Sequence, residues 1–257
     1  MILALDIGNT TILVASIRGK QIKSLGMIET QSSLKQIFKN LVTLLSRKGM
    51  KRGRVESIYI CSVVPHVTQA MAAHIKKIFS IDPVIIGHGV SVPLNNHYRN
   101  PRQVGQDRLV GAYAAKILYG YPCIIIDLGT AITFDVVSKS GAYEGGMIIP
   151  GIRLSAESLY QKTALLPKVG MVKLPRYLVG KSTEESILSG IFNGYGLMCS
   201  GLIDKIRKQI GTGAKVIVTG GHTQLISRYI KEKIYKIDLL LVFRGIHLLS
   251  QSKKLSK

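Results

Sequence analysis

The sequence predicts a duplicated α/β fold, two halves each built on a mixed sheet with helices, and three observations carry that prediction. Ile124-Ile125-Ile126-Asp127-Leu128-Gly129-Thr130-Ala131-Ile132-Thr133 is an apolar run tipped by a carboxylate, then a glycine, then a second β-rich run through Val137. The chain opens with a near copy, Ile2-Leu3-Ala4-Leu5-Asp6-Ile7-Gly8-Asn9-Thr10-Thr11-Ile12, in which Asp6 matches Asp127 and Gly8 matches Gly129. A strand followed by a helix over 57–79 parallels a strand followed by a helix over 214–230. Repetition at this scale is the mark of a doubled unit with a cleft between its copies. The expected division is 1–115 and 116–257.

The elements follow in order. After the first hairpin, Leu34, Ile37, Phe38, Leu41, Val42 and Leu45 recur at helical spacing. The basic stretch 47–54 is the loop behind that helix. Ser57 to Val64 reads as a buried strand stopped at Pro65, and Met71, Ile75 and Phe79 mark the next helix. Val84 to Ile86 is a short strand. Asn95 to Gly105 is a polar loop that leads into a helix with Asp107 and Arg108 in its first turn. Gly145 to Gly151 reads as a glycine-laden turn before a helix, and 163–181 as loop. Ser182-Thr183-Glu184-Glu185 is a capping box that opens a long helix stopped at Gly211. Gly190, Gly194, Gly196 and Gly201 each weaken an isolated helix by about 1 kcal/mol, so they are expected at close helix packing, within the chain or across a dimer. Ala214 to Thr219 is a strand, and Leu239 to Val242 is expected as the last one.

At 257 residues and 46% hydrophobic, the chain can bury a real core. Its three scattered cysteines, Cys61, Cys123 and Cys199, suit a reducing compartment better than a disulfide framework or a zinc site. Met1 to Leu5 is apolar but is interrupted by Asp6, which fits a strand rather than a signal peptide. No apolar run approaches the ~20 residues that span a bilayer. A soluble, cytoplasmic protein is expected. The charge is +21, from 35 Lys and Arg against 14 Asp and Glu. Such a field attracts anions. The basic residues are spread along the chain, with clusters at 47–54 and 253–257, and no aromatics interleave them. A general basic surface is therefore favoured over a dedicated nucleic-acid face.

Asp-x-Gly alone is common in turns. Two copies in a doubled fold point instead to chemistry: carboxylates facing one cleft hold a hard cation, and nearby N–H groups hold phosphates. The hydroxyls of Thr10, Thr11 and Thr130 suit phosphate oxygens. Asp107 is either a plain acid at a helix N-terminus or a general base on a substrate hydroxyl, and spacing does not choose. Arg108 sits where a helix favours anions, which a ligand carboxylate there would explain. Gly180-Lys181-Ser182-Thr183 resembles the end of a P-loop, but Pro175 stands where that pattern needs glycine. Capping accounts for Ser182 and leaves Thr183 open. Gly220-Gly221 is either a turn or a point of close approach to a nucleotide. The six histidines show no metal-ligand spacing.

Taken together, Asp6-Ile7-Gly8-Asn9-Thr10, Ser62-Val63-Val64-Pro65, Asn100-Pro101 with Val104-Gly105-Gln106-Asp107-Arg108, Asp127 to Thr133, Gly145-Gly146 with Ile148, Pro150 and Gly151, Gly180 to Thr183, and Thr219-Gly220-Gly221 run in one order over nearly the whole chain. In that order they resemble the type III pantothenate kinases, a branch of the superfamily of acetate and sugar kinases, heat-shock ATPases and actin. The resemblance implies two ribonuclease-H-like halves, a homodimer, and ATP-dependent phosphorylation of pantothenate at the start of coenzyme A synthesis. It places ATP phosphates on Asp6, Ile7, Gly8, Asn9, Thr10, Thr11, Ile12 and Leu13, assisted by Thr130. It assigns a monovalent cation, K+ or NH4+, to Asp127, and Mg-ATP to Asp6. It places pantothenate on Tyr98, Gly105, Gln106, Asp107, Arg108 and Thr183, the last from the partner subunit, with Asp107 as proton acceptor. The basic charge and the loose match at Val242-Phe243-Arg244-Gly245 depart from the pattern. They motivate two alternatives: a non-catalytic nucleic-acid-associated regulator on the same fold, or another small-molecule kinase of the superfamily.

Overall fold

The computed structural model describes residues 1–171 and 173–252, so the 253–257 cluster lies outside the described residues. The chain divides into two compact units. Met1–Leu94, Arg99–Ala114 and the final segment from Leu240 form the first; Asn95–Tyr98 and Ala115–Leu239 form the second. The division expected at 115 leaves out the return of the last segment to the first unit.

In the first unit, β1 (Ile2–Ile7), β2 (Thr11–Arg18), β3 (Gln21–Glu29), β4 (Ser57–Ser62) and β5 (Val84–Ile85) form one sheet ordered β3-β2-β1-β4-β5. The first three strands run antiparallel and β4 and β5 join in parallel. In the second unit, β6 (Cys123–Leu128), β7 (Ala131–Val137), β8 (Tyr143–Pro150), β9 (Lys215–Thr219) and β10 (Lys236–Ile237) form a sheet ordered β10-β9-β6-β7-β8. The mapping β1 to β6, β2 to β7, β3 to β8, β4 to β9 and β5 to β10 reproduces every pairing and direction. The repeat read from two hairpins is therefore a repeat of whole sheets.

Sequence and capping chemistry explain the helices. α1 (Leu34–Arg47) starts where the Ser33 side chain accepts the Gln36 N–H, and it buries Ile37, Leu41 and Leu45 one above another. α2 (Pro65–Phe79) takes proline at its first position, where no N–H is missed, and stops at Ser80 in the left-handed region. Both cover one face of the first sheet, against Leu3, Leu5, Ile58 and Ile60. α3 (Gln106–Tyr119) carries the chain from the first unit into the second at Ala115. α4 (Ile152–Lys162) buries Ile152 and Ala156, and α5 (Thr183–Ile210) buries Ile187, Leu188, Phe192 and Ile203, in one core with Ile124, Ile126 and Phe134. Each such fully buried side chain contributes about 1.5–3 kcal/mol. A four-residue helix, α6 (Thr223–Ile226), follows β9.

Three expectations need correction. Leu239–Val242 is no strand: α7 (Leu241–Ser252) starts there and buries Leu241, Phe243, Gly245, Ile246 and Leu249. A short apolar run does not by itself distinguish strand from helix. The helix lies so close to α3 that a Cβ on Gly245 would come within 2.5 Å of the Val110 carbonyl. The segment 145–150 is β8, not a turn, because its glycines sit on a strand. Of the four α5 glycines, Gly196 is a close contact within the chain, as expected, with a Cβ site 2.3 Å from Tyr229, while Gly190, Gly194 and Gly201 meet nothing within 4 Å among the described residues. Finally, α5 is long and apolar enough on average to cross a membrane, although half of its most apolar window is buried inside the fold.

Candidate functional site

The first hairpin turns between Ile7 and Ile12, which pair across β1 and β2. The Gly8 N–H donates to the Thr11 carbonyl at 3.0 Å. Thr30, just beyond β3 and only 7% exposed, braces the turn twice: its N–H donates to the Thr10 carbonyl at 2.9 Å and its hydroxyl to the Gly8 carbonyl at 2.8 Å. The carbonyls of Gly8, Thr10 and Thr11, which would repel a phosphate, are thus engaged inside the fold. Sequence reading missed Thr30, whose role depends on a third strand it did not find. The Val63 N–H and Ser62 hydroxyl donate to the Ile7 carbonyl at 3.1 and 3.4 Å, and Thr68 donates to Ser62 at 2.5 Å. The Ser62-Val63-Val64-Pro65 motif is therefore a brace for the hairpin base.

Asp6, the last residue but one of β1, lies opposite Cys61 of β4. Burial pushes the Cys61 thiol well up, and the charges of Asp6 and Asp107 raise it further. Both carboxylates therefore act on one thiol at the same end of this sheet. Asp107 is in the first turn of α3, and its carboxylate accepts the Arg108 N–H at 2.8 Å. It folds back over Gly105, where a Cβ would stand 2.5 Å from Oδ1 and 3.2 Å from Val63. Gln106 in turn lies over Gly87, whose φ of +91° and missing side chain leave room for it. The structure thus groups Asp6, the 8–11 turn, Gly105, Gln106, Asp107 and Arg108 within the first unit.

The second hairpin is built differently at its tip. Leu128 pairs with Ile132, so the turn has three residues where the first has four. The Gly129 N–H donates to the Ala131 carbonyl at 3.2 Å, and the Gly151 N–H to the Thr130 carbonyl at 3.0 Å. Gly151 takes the place that Thr30 has in the first unit, and no side chain fits there: its Cβ would lie 2.3 Å from the Thr130 oxygen. His222 closes the other side, its N–H on the Leu128 carbonyl at 2.9 Å and its Nδ1 3.1 Å from the Gly129 carbonyl. Burial pulls the His222 ring below the usual histidine range, the bond to Gly129 opposes this, and Arg153 adds to it. The Asp127 carboxylate is seated against glycine. A Cβ on Gly220, where φ is +96°, would be 2.3 Å from its Oδ1, and one on Gly129 would be 3.1 Å away. Thr223 donates to the Thr219 and Gly220 carbonyls at 2.7 Å and fixes that turn.

The oxygen donors and the charge suit the expected cations. A single carboxylate in a tight seat matches a singly charged ion at Asp127 better than a divalent one. Among the described residues no group of three or more His, Cys, Asp and Glu is placed to hold a metal. A divalent ion near Asp6 would take most of its ligands from phosphate and water, as Mg2+ commonly does.

Tyr98 belongs to the second unit. The segment 95–98 lies along β8: the Tyr143 N–H donates to Asn95 at 2.8 Å and the His97 N–H to Tyr143 at 2.9 Å. His97 Nδ1 is 3.1 Å from Glu144 Oε2, and the Tyr98 ring rests on Gly145, whose φ is +113°. Thr183 is exposed at the first position of α5. The Gly180–Thr183 motif is a cap: the Ser182 hydroxyl accepts the Glu185 N–H at 3.2 Å, Glu185 accepts the Lys181 N–H at 2.8 Å, and a Cβ on Gly180 would strike the Ser186 nitrogen. Thr130 is exposed beside Gly129.

Comparison with known proteins agrees with this arrangement. The family model described as type III pantothenate kinase matches residues 2–205. A curated relative named type III pantothenate kinase, from Persephonella marina, is 42% identical over 96% of this chain and 97% of its own length. Among solved structures, a Campylobacter jejuni protein described as a conserved putative Baf family transcriptional activator superposes with a TM-score of 0.58 at 20% identity, covering 98% of each chain. The activator of 2-hydroxyisocaproyl-CoA dehydratase from Clostridium difficile, with bound ADPNP, gives 0.56 at 15% identity, covering 100% of this chain and 98% of that one. At these identities the two structures speak for the duplicated fold alone.

Proposed function

The chain belongs to the type III pantothenate kinase family, and from that premise we propose how its residues carry the reaction. It phosphorylates pantothenate with ATP to give 4'-phosphopantothenate, the first step of coenzyme A synthesis. The regulator alternative is not favoured, because the family model matches residues 2–205 and a relative named type III pantothenate kinase is 42% identical over 96% of this chain.

In this reading the turn of residues 6–13 receives the ATP phosphates, and Thr130 adds a hydroxyl. Asp6 would hold Mg2+ and Asp127 would hold K+ or NH4+, and each cation would supply charge neutralisation for the phosphates. Pantothenate lies on Gly105 to Arg108, with the Arg108 guanidinium drawn to its carboxylate and Tyr98 against its body. The primary hydroxyl of pantothenate attacks the γ-phosphorus in line, the bond to ADP breaks, and Asp107 accepts the hydroxyl proton. Positioning and charge neutralisation do most of the work. The observation that supports this reading is geometric: a Cβ on Gly105 would lie 2.5 Å from Asp107 Oδ1 and 3.2 Å from Val63, whose N–H donates at 3.1 Å to the carbonyl of Ile7, the neighbour of Asp6. A homodimer with Thr183 reaching the partner's substrate is supported by the exposed α5 face, where Gly190, Gly194 and Gly201 have nothing within 4 Å. A cytoplasmic location follows from the need for ATP.

A coupled assay with ATP, magnesium and pantothenate, with and without potassium, tests the reading. Asp107→Asn is expected to lower kcat about 10²-fold or more with little change in ATP affinity. Near-normal turnover would remove Asp107 from the role.

A further inference from the structure

The +21 charge has no part in the reaction above, and its 47–54 cluster occupies a defined place in the fold. Cavities of about 630, 270 and 140 Å³ run together on the first unit, all sharing Met1 and Arg18. They open at the start of β1, whereas the phosphate turn lies beyond its end, roughly 16 Å away at the usual rise of a strand. Arg18 from the end of β2, Lys23 from β3, Lys48 from the end of α1 and Arg54 from the short 3-10 turn before β4 line them. The chain's amino group is there too. The lining's single acid, Glu56, is bound to that amino group at 2.5 Å, so its charge is already matched. No aromatic ring is among the lining residues, which removes the stacking platform that a nucleic-acid base would use.

We propose that this groove is a second anion site that takes a linear phosphate chain, either free polyphosphate or the phosphate tail of a nucleotide. Four side-chain cations from four separate elements line three adjoining cavities, and that many positive charges suit several linked phosphates better than one. The volume is in the range of small-ligand sites. This site stands whether or not the kinase assignment does, since none of its residues touches the proposed reaction.

The test is calorimetric titration of the full chain at physiological salt, with pantothenate and a non-hydrolysable ATP analogue saturating. Tripolyphosphate, ADP and a short single-stranded oligonucleotide are the three titrants. Tripolyphosphate is expected to bind saturably, and the double variant Arg18→Glu, Arg54→Glu to weaken it about tenfold by replacing attraction with repulsion. kcat and both KM values should stay unchanged in that variant, which also shows that it folds. Tighter binding of tripolyphosphate than of ADP assigns free polyphosphate, and the reverse assigns a nucleotide. Binding that the variant leaves intact, binding that never saturates, or an oligonucleotide that outcompetes tripolyphosphate would each overturn the proposal.

Discussion

The two hairpins share one scaffold and differ at four points. The first has a four-residue turn braced by a threonine hydroxyl, and its acid stands against a buried thiol with Ser62 beyond. The second has a three-residue turn braced by the Gly151 and His222 N–H groups and the His222 ring, and its acid is pressed between glycines with Gly220 in the place of Ser62. One extra residue, Asn9, and one hydroxyl, Thr30, set the first tip apart, and in the proposed reading they open it for the ATP phosphates. Glycine at 129, 151 and 220 closes the second around a single carboxylate. A duplicated fold therefore yields two differently shaped tips with few changes.

The largest expected effect comes from filling the second seat. Gly220→Ala meets both a left-handed backbone and an Oδ1 at 2.3 Å, and should cost about 3 kcal/mol or more in chemical unfolding. It should also abolish activation by potassium. In the first hairpin, Gly8→Ala places its Cβ 3.3 Å from the Thr11 oxygen without a positive φ and should cost about 1 kcal/mol or less. Equal losses in the two variants would erase the contrast.

Deleting Asn9 gives the first turn the length of the second. The chain should still fold, since the Ile7–Ile12 pair and the strands behind it remain. KM for ATP should rise about 10²-fold, the loss expected when two hydrogen bonds to charged oxygens disappear. An unchanged KM would show that the extra residue is not what receives phosphate.

Thr30→Val keeps the N–H bond to Thr10 and removes only the hydroxyl bond to Gly8. KM for ATP should rise about fivefold, with KM for pantothenate unchanged and Thr30→Ser near wild type, in keeping with one neutral hydrogen bond. A loss shared equally by both substrates would make Thr30 a stability residue and nothing more.

These differences explain what could be read in advance. The doubled hairpin was legible because acid, glycine and alternating apolar residues are local signals, and the capping box at Ser182 was legible for the same reason. The braces were not. Thr30 lies beyond β3, a strand of mixed polarity whose partner had to be known first, and His222 is tied to a turn some ninety residues earlier in the chain. α7 read as a strand because its covering layer, α3, comes from another part of the chain, and only that contact explains Gly245. Long-range contacts assign such residues, and sequence spacing carries no trace of them.

The smallest expected effect separates the hairpins by pH. In the folded chain the His222 ring lies below its ordinary value of 6.5, chiefly through burial. The unfolded chain therefore takes up a proton more readily, and the stability that neutral His222 supports is complete above about pH 6.5 and is lost as pH falls through the lower folded value. His74 and His247, in the first unit, are lowered by burial as well, so part of the acid slope does not depend on the second hairpin. His222→Gln should keep a donor for the Gly129 carbonyl and remove one titration. Its Tm should fall less steeply than wild type between pH 6.5 and 5, by about 2 °C over that interval. Identical slopes would mean that the second hairpin does not feel the proton, and that its brace is the His222 backbone N–H on Leu128 alone.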